Sequence, residues 1–497
     1  MASRPHIVLF NPDSWRGDVL GHTGNPAAVS PHLDERVRKD AVSFRYAFCQ
    51  NPVCTPSRVS YMTGWYPHVR GHRTMHHMLQ PGEPCLLKRL KDAGYFVWWG
   101  GKNDLVAGQY GYDAYCDVKY EASSKKPLWA MDSESDWRGD VNSDSYYSFF
   151  VGKLPTDSQG DVYPDRDWEY VNAAAALIRE WGALNAHAEE QQPLCIYLPI
   201  TYPHPPYAVE EPWFSVIDRS RLPARIQEPL GADDKKPSVL RGIRYRQNLS
   251  RWTESRWDEL RATYYGMCAR VDAQFGVIVE ALTDAGLYDD TALFAFSDHG
   301  DFTGDFGLVE KTQNTFEDCL TRVPLIIKPP AATNAVPRVC DTLVELVDIP
   351  ATVEELAGLI ATHTHFGRSL VPVVKGLADV HRDAVFCEGG RLDDEIEAMQ
   401  LESGQDRERL YWPRLSLQVG TGPEHTKAVM CRTQTHKYVR RLGEQDELYD
   451  LVRDPAEEHN VIDDQEYREI LSSLRDRMLT WFVATADVVP KCADARD

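Results

Sequence analysis

The chain has 497 residues, 43% of them hydrophobic and 26% charged, with a formal net charge of −21. A single core stops growing near about 250–300 residues, so this length predicts one large packed unit and a smaller one. The acidic balance argues against capture of nucleic acid or anionic membrane by a basic surface, and the longest apolar runs, 292–296 and 323–327, fall far short of the roughly 20 residues that span a bilayer.

The first element, His6-Ile7-Val8-Leu9-Phe10, is an unbroken apolar run after its histidine and ends in Asn11-Pro12-Asp13, the pattern of a buried parallel strand entering a loop. The apolar run near the start is shorter than the about 7–15 residues of a secretory core, which predicts a cytoplasmic chain. The same grammar recurs at Phe96-Val97-Trp98-Trp99 before Gly100-Gly101-Lys102, at 194–198 before Thr201-Tyr202-Pro203-His204, and at 292–296 before Ser297-Asp298-His299. Helical spacing lies between them at 83–93 and 257–285, each ahead of a glycine. This alternation predicts an α/β fold with a large, mostly parallel central sheet flanked by helices, whose strand ends deliver polar residues to one crevice.

Residues 105–170 and 205–256 lack a period and read as insertions over that crevice. After Gly367 the texture changes to short strand-like pieces at 384–386, 427–431, 437–439 and 447–451, then a helix near 465–484. The predicted organisation is an N-terminal catalytic domain, 1–375, and a smaller C-terminal antiparallel sheet plus helix, 376–497. Eleven cysteines, scattered, odd in number and without a CxxC pair, indicate neither a disulfide framework nor a zinc site.

Pro52-Val53-Cys54-Thr55-Pro56-Ser57-Arg58, with Thr63-Gly64 behind it, is the most informative stretch. It resembles the signature of the sulfatase family, within the alkaline-phosphatase-like superfamily, in which the cysteine is oxidised to formylglycine. Further segments match in the family's order: Asp13 with Arg16-Gly17-Asp18, Gly101-Lys102, His204 between prolines, Ser297-Asp298-His299-Gly300 with Lys311, Arg322-Val323-Pro324-Leu325, and the tail 447–451 with Asn460. The resemblance implies hydrolysis of a sulfate monoester, on a sulfated sugar or a small aryl or alkyl group. It implies formylglycine at Cys54, installed by a formylglycine-generating enzyme. It also implies one divalent cation, calcium first and manganese second, held by Asp13, Cys54, Asp298 and His299. Similar proteins often form homo-oligomers, and no residue here fixes a number.

The chemistry is coherent on the residues themselves. Two carboxylates and an imidazole suit one divalent ion. Arg58, Lys102 and Lys311 place positive charge where a sulfuryl group becomes more negative, and His204 is read as the proton donor to the leaving oxygen. The chain departs from the family at Ser14, where a second aspartate is frequent, and at Asp104, where a histidine is frequent. Asp104 and its neighbour Asn103 are read as substrate contacts, as are His72 and Arg73 from the histidine-rich run 68–77. Three other readings stay open: a phosphonate monoester or phosphodiester hydrolase using the same site, a non-catalytic glycan-binding relative with an unmodified thiol, and a cysteine hydrolase.

Overall fold

Ile7 and Leu9 pack into one apolar core and Val8 and Phe10 into another, so the first strand is buried on both faces, as an unbroken apolar run requires. The structure, a computed structural model, describes residues 4–491 and 493 apart from 124–134, 156–164, 186–191, 229–234 and 421. In chain order its strands are β1 (His6–Pro12), β2 (Val42–Phe48), β3 (Phe96–Gly100), β4 (Val118–Tyr120), β5 (Phe150–Lys153), β6 (Leu194–Ile200), β7 (Tyr207–Val209), β8 (Thr291–Phe296), β9 (Arg322–Val323), β10 (Leu325–Lys328), β11 (Arg338–Glu345), β12 (Val385–Gly389), β13 (Ala428–Arg432), β14 (His436–Arg441) and β15 (Glu447–Asp450).

The large sheet runs β11-β2-β10-β8-β1-β6-β3-β4, with β9 beside β2. Only β10 and the two-residue β9 oppose their neighbours; the other pairings are parallel. The four strands singled out by pattern, β8, β1, β6 and β3, are consecutive in the sheet and mutually parallel, so their carboxyl ends lie along one edge. One face carries the helices Pro31–Lys39, Arg166–Asn185 and Glu254–Asp284. The other carries Cys54–Thr63, Leu86–Asp92 and Asp348–Leu356. Each large apolar side chain buried in these layers contributes about 1.5–3 kcal/mol. No helix among the described residues is long and apolar enough to cross a membrane.

The second sheet is antiparallel, β12-β13-β14-β15, and its helix Arg468–Thr485 stacks Trp481 on Phe386 at 4.5 Å. It is seated against the catalytic layer by backbone and amide bonds, Glu388 N–H to the Gln50 carbonyl at 2.9 Å and Asn51 Nδ2 to the Glu388 carbonyl at 2.7 Å. Neighbouring strands β12 and β13 are joined by an excursion, residues 390–427, that leaves this sheet.

The described part of the insertion 205–256 does not lie over the crevice as expected. Its helix Ser238–Gln247 turns Val239, Leu240 and Ile243 inward against Phe302, Phe306 and Leu308, because those three residues form one apolar stripe with no cavity-facing polar group among them. Leu417 of the excursion joins the same cluster, so this helix supports the excursion from below.

Candidate active site

β1 ends at Pro12 and delivers Asp13, and β8 ends at Phe296 and delivers Ser297, Asp298 and His299. Ser297 Oγ ties the two loops together, accepting from Trp15 N–H at 2.8 Å and donating to the His299 carbonyl at 2.9 Å. Cys54 opens the helix Cys54–Thr63, in which all ten residues are buried, and Gly64, left-handed at φ 71°, closes it. Ligand atoms of Asp13, Cys54, Asp298 and His299 lie within 4.8 Å of one another.

The two carboxylates divide their oxygens. Asp13 Oδ2 and Asp298 Oδ2 each lie 2.9 Å from Arg58 NH2, a guanidinium fully shielded from solvent. Asp13 Oδ1 faces inward, 3.5 Å from His299 Nε2 and 3.7 Å from Cys54 Sγ, and accepts the Ser14 hydroxyl at 2.9 Å. Ser14 therefore orients a ligand where a second carboxylate would have added charge. It does so from a left-handed conformation, φ 68°, that costs a non-glycine residue about 1–2 kcal/mol.

His299 Nδ1 lies 2.8 Å from the Gly300 carbonyl, which fixes the proton on Nδ1 and turns the Nε2 lone pair to Cys54 Sγ at 3.2 Å. Burial lowers the His299 pKa and keeps the ring neutral, against the pull of Asp298. Carboxylate oxygens and an imidazole lone pair thus converge with no proton to share, and this donor set fits a divalent cation.

β3 delivers Lys102 through Gly101, whose φ of 121° and close approach to β6 exclude a side chain: an added Cβ would stand 2.1 Å from the Pro199 carbonyl oxygen. Lys102 Nζ is 2.6 Å from Asp13 Oδ2, 2.8 Å from Asp104 Oδ2 and 3.6 Å from Cys54 Sγ. Burial alone would depress this ammonium, but Asp104 and Asp13 hold it well above its ordinary value. Burial likewise works against ionised Asp13, yet Lys102, His204 and Arg58 pull that carboxyl well below the usual range. Burial and Asp13 push the Cys54 thiol up to about 12, so as a bare thiol it carries little thiolate near neutrality, which weakens the cysteine-hydrolase reading.

β6 delivers His204, whose Nδ1 meets the Pro205 carbonyl at 2.6 Å and whose Nε2 meets Lys311 Nζ at 2.8 Å. With Nδ1 donating, Nε2 accepts from the ammonium. Burial and Lys311 lower His204 well below its usual value, whereas Cys54 and Glu310 raise Lys311 against its own burial. The sequence predicts His204 as the proton donor; in the structure the proton between the two groups lies on Lys311 Nζ, which donates to His204 Nε2.

Above these groups is a cavity of about 610 Å³. Asp104 and Asn103 line it, but Asn103 is spent on its own turn, its Oδ1 accepting from Leu105 N–H at 3.2 Å and Val106 N–H at 3.0 Å. His72 and Arg73 do not reach it. Carboxylates elsewhere claim them: His72 Nε2 pairs with Glu83 at 3.0 Å and Arg73 NH2 with Glu395 at 2.5 Å. The described part of the 105–170 insertion does form a wall, through Tyr112, Lys119, Glu121, Arg166 and Tyr170.

The sequence does not mark the remaining wall. Gln400, Ser403, Tyr411 and Arg414, from the 390–427 excursion, roof the cavity, and Arg414 Nε is joined to Glu310 Oε2 at 3.2 Å. Glu310 could have been noticed as the neighbour of Lys311, and 411–414 as an aromatic cluster in an otherwise polar stretch. Nothing in the sequence places either over Cys54.

The family model described as Sulfatase matches residues 5–359. The zebrafish (Danio rerio) protein named Arylsulfatase K is 26% identical over 388 residues, 75% of this chain and 68% of its own length. The Ulvan-active sulfatase of Formosa agariphila is 23% identical over 473 residues, 95% of this chain and 80% of its own. Among solved structures, the phosphonate monoester hydrolase of Agrobacterium radiobacter superposes with a TM-score of 0.70 at 23% identity, covering 97% of this chain and 96% of that one, and shares the fold.

Proposed function

The chain belongs to the sulfatase family and is a sulfuric ester hydrolase, and from that premise we propose that it cleaves a sulfate monoester carried by a carbohydrate or a small aryl or alkyl alcohol, at the centre around Cys54. The observation that carries this reading is the meeting of Asp13, Asp298, His299, Lys102 and Lys311 at the Cys54 end of a cavity large enough for a sugar ring. A sulfated carbohydrate is favoured by the name of the Formosa agariphila relative and by the hydroxyl-matching walls of the cavity.

In this reading Asp13, Asp298, His299 and the side chain at position 54 hold the divalent cation, calcium by preference for an oxygen-rich set. When bound, that ion polarises the sulfuryl oxygens and the attacking group. Formylglycine at position 54, once hydrated to a geminal diol, would supply the hydroxyl nucleophile that the buried thiol lacks. Because the helix Cys54–Thr63 is wholly buried, the formylglycine-generating enzyme acts before the fold closes.

The chain's own residues then do three things. Arg58 aims both carboxylates inward. Lys102, 3.6 Å from Cys54 Sγ, sets positive charge beside the attacking atom and the sulfuryl oxygens. Lys311 Nζ gives its proton to the leaving oxygen as the sulfur–oxygen bond breaks, with His204 Nε2 holding the ammonium in place.

A phosphonate monoester hydrolase is the second reading, since a phosphonate monoester is also a tetrahedral monoanion and the Agrobacterium radiobacter hydrolase shares this fold. A purely glycan-binding relative is disfavoured by the complete ligand and cation set. The test is mass spectrometry of the Cys54 peptide, where the thiol-to-aldehyde change removes about 18 Da, together with release of sulfate from nitrophenyl sulfate and a sulfated monosaccharide, against cleavage of a phenylphosphonate monoester. An unmodified, inactive protein would sink the reading; faster phosphonate cleavage would favour the second.

A further inference from the structure

We propose that Asp167 is a positioning residue that holds the Lys311–His204 proton-delivering pair in register with Cys54; this role rests on the sulfatase reading above. β6 ends at Ile200, and the next four residues turn down into the cavity, His204 N–H closing the turn on the Thr201 carbonyl at 2.9 Å. Two amides at the entrance to this turn point away from the sheet. Both are taken by Asp167: Thr201 N–H donates to Oδ1 at 3.0 Å and Oδ2 at 2.9 Å, and Tyr202 N–H to Oδ2 at 2.8 Å.

Asp167 is 1% exposed, and among the described residues no cation forms an ion pair with it. A carboxylate in that position is expensive to bury. Here it gives both amides acceptors from one rigid group. It lies in the first turn of the helix Arg166–Asn185, and the residue just before that helix locks the turn in place. Asp165 accepts Trp168 N–H at 3.0 Å and pairs with Arg270 at 2.5 Å, a guanidinium with no solvent exposure. Arg270 also binds Glu210 at 2.7 Å, one residue past β7.

The segment 201–210 is therefore bracketed. Asp167 fixes its start and Arg270, through Glu210, fixes its end, with His204 between them. The two anchors are themselves joined through Asp165. Arg166, between the two aspartates, lines the cavity, so the wall and the His204 turn share one rigid mount. Displacing this turn would move His204 Nε2 away from Lys311 Nζ and release the ammonium from its orientation toward the leaving oxygen.

The test exploits leaving groups that differ in their need for a proton. A nitrophenolate departs without one, and an alkyl or sugar alkoxide does not. In Asp167→Asn, and in Asp167→Ser as the second variant should the first not fold, kcat/KM for a sugar sulfate is expected to fall about 30- to 100-fold while that for nitrophenyl sulfate stays within about threefold. His204→Gln supplies the reference ratio, and the double variant should fall no further than His204→Gln alone. Amide exchange at 201–202 should rise with the rest of the chain unchanged. Equal losses on both substrates, no loss on either, or unaltered exchange overturn the role. A native enzyme inactive on both substrates overturns the sulfatase reading itself, and the role with it.

Discussion

Arg58 gives the sharpest test of how the centre is held together. Its guanidinium is unexposed, lies 2.9 Å from Asp13 Oδ2 and 2.9 Å from Asp298 Oδ2, and is the group that both carboxylates share. At an effective dielectric near 20, each contact is worth about 6 kcal/mol gross, most of it offset by desolvation; breaking a buried pair from one side costs about 3–5 kcal/mol. Arg58→Gln keeps much of the volume and removes the charge, leaving two buried carboxylates to repel each other. Against a typical total stability of about 5–15 kcal/mol, that loss is large.

In the proposed centre a divalent cation would neutralise the same two carboxylates. The destabilisation should therefore be about 3–5 kcal/mol in chelator and less than half of that in saturating calcium. Urea titrations followed by the fluorescence of the thirteen tryptophans, with and without chelator, read both values. A loss below about 1 kcal/mol in chelator, or the same loss under both conditions, would refute the reasoning. Either result would mean that Arg58 and the cation do not act on one pair of charges.

Three further outcomes follow from the geometry. Tyr411→Ala should raise KM for a sugar sulfate about 2- to 10-fold and leave nitrophenyl sulfate little changed, because an aromatic wall contributes about 0.5–1.5 kcal/mol to a ring seated on it; steady-state kinetics on the two substrates decide. Burial raises Asp165 to about 7 despite Arg270, above an unfolded value of about 3.9, so its stabilising term is complete below that value and is lost as pH rises through about 7. Between about pH 4 and pH 8 the wild type should therefore lose stability relative to Asp165→Asn by up to about 1.4 kcal/mol per unit, measured by denaturant titration of both proteins across that range. Finally, inorganic sulfate should bind the calcium-loaded enzyme and lose at least about tenfold in affinity in chelator, as read by calorimetry.

The part of the site legible in the sequence is the part that hangs from strand ends. Apolar runs at 6–10, 96–99, 194–198 and 292–296 each stop at a polar group, and that punctuation marked β1, β3, β6 and β8 and the residues they carry. β2 and β11 were missed because Arg45, Tyr46 and Asp341 break their apolar pattern. His72 and Arg73 come from the histidine-rich run 68–77, but the carboxylates of Glu83 and Glu395 outbid the cavity for them. The sharing of a proton between His204 and Lys311 depends on residues 107 apart in the chain, and no spacing rule reaches that far. The roof failed for the same reason: Tyr411 and Arg414 belong to a strand connection in the smaller sheet and come to Cys54 only through tertiary packing.

A chain carrying −21 can still receive an anion, because its charges are balanced locally. Around Cys54, Asp13, Asp104, Asp298 and Glu310 stand against Arg58, Lys102, Lys311 and Arg414, four formal charges of each sign. The protein groups cancel, and in the proposed centre net attraction for a sulfate monoester would fall to the bound cation, with Lys102 and Lys311 giving it direction. Farther out, Lys119 pairs with Glu121 at 2.8 Å, and Arg166 also lines the cavity. Such a wall offers donors and acceptors side by side. It suits a ring bearing hydroxyls, each both donor and acceptor. A sulfated carbohydrate of the kind proposed above would meet these donors and acceptors with its ring hydroxyls.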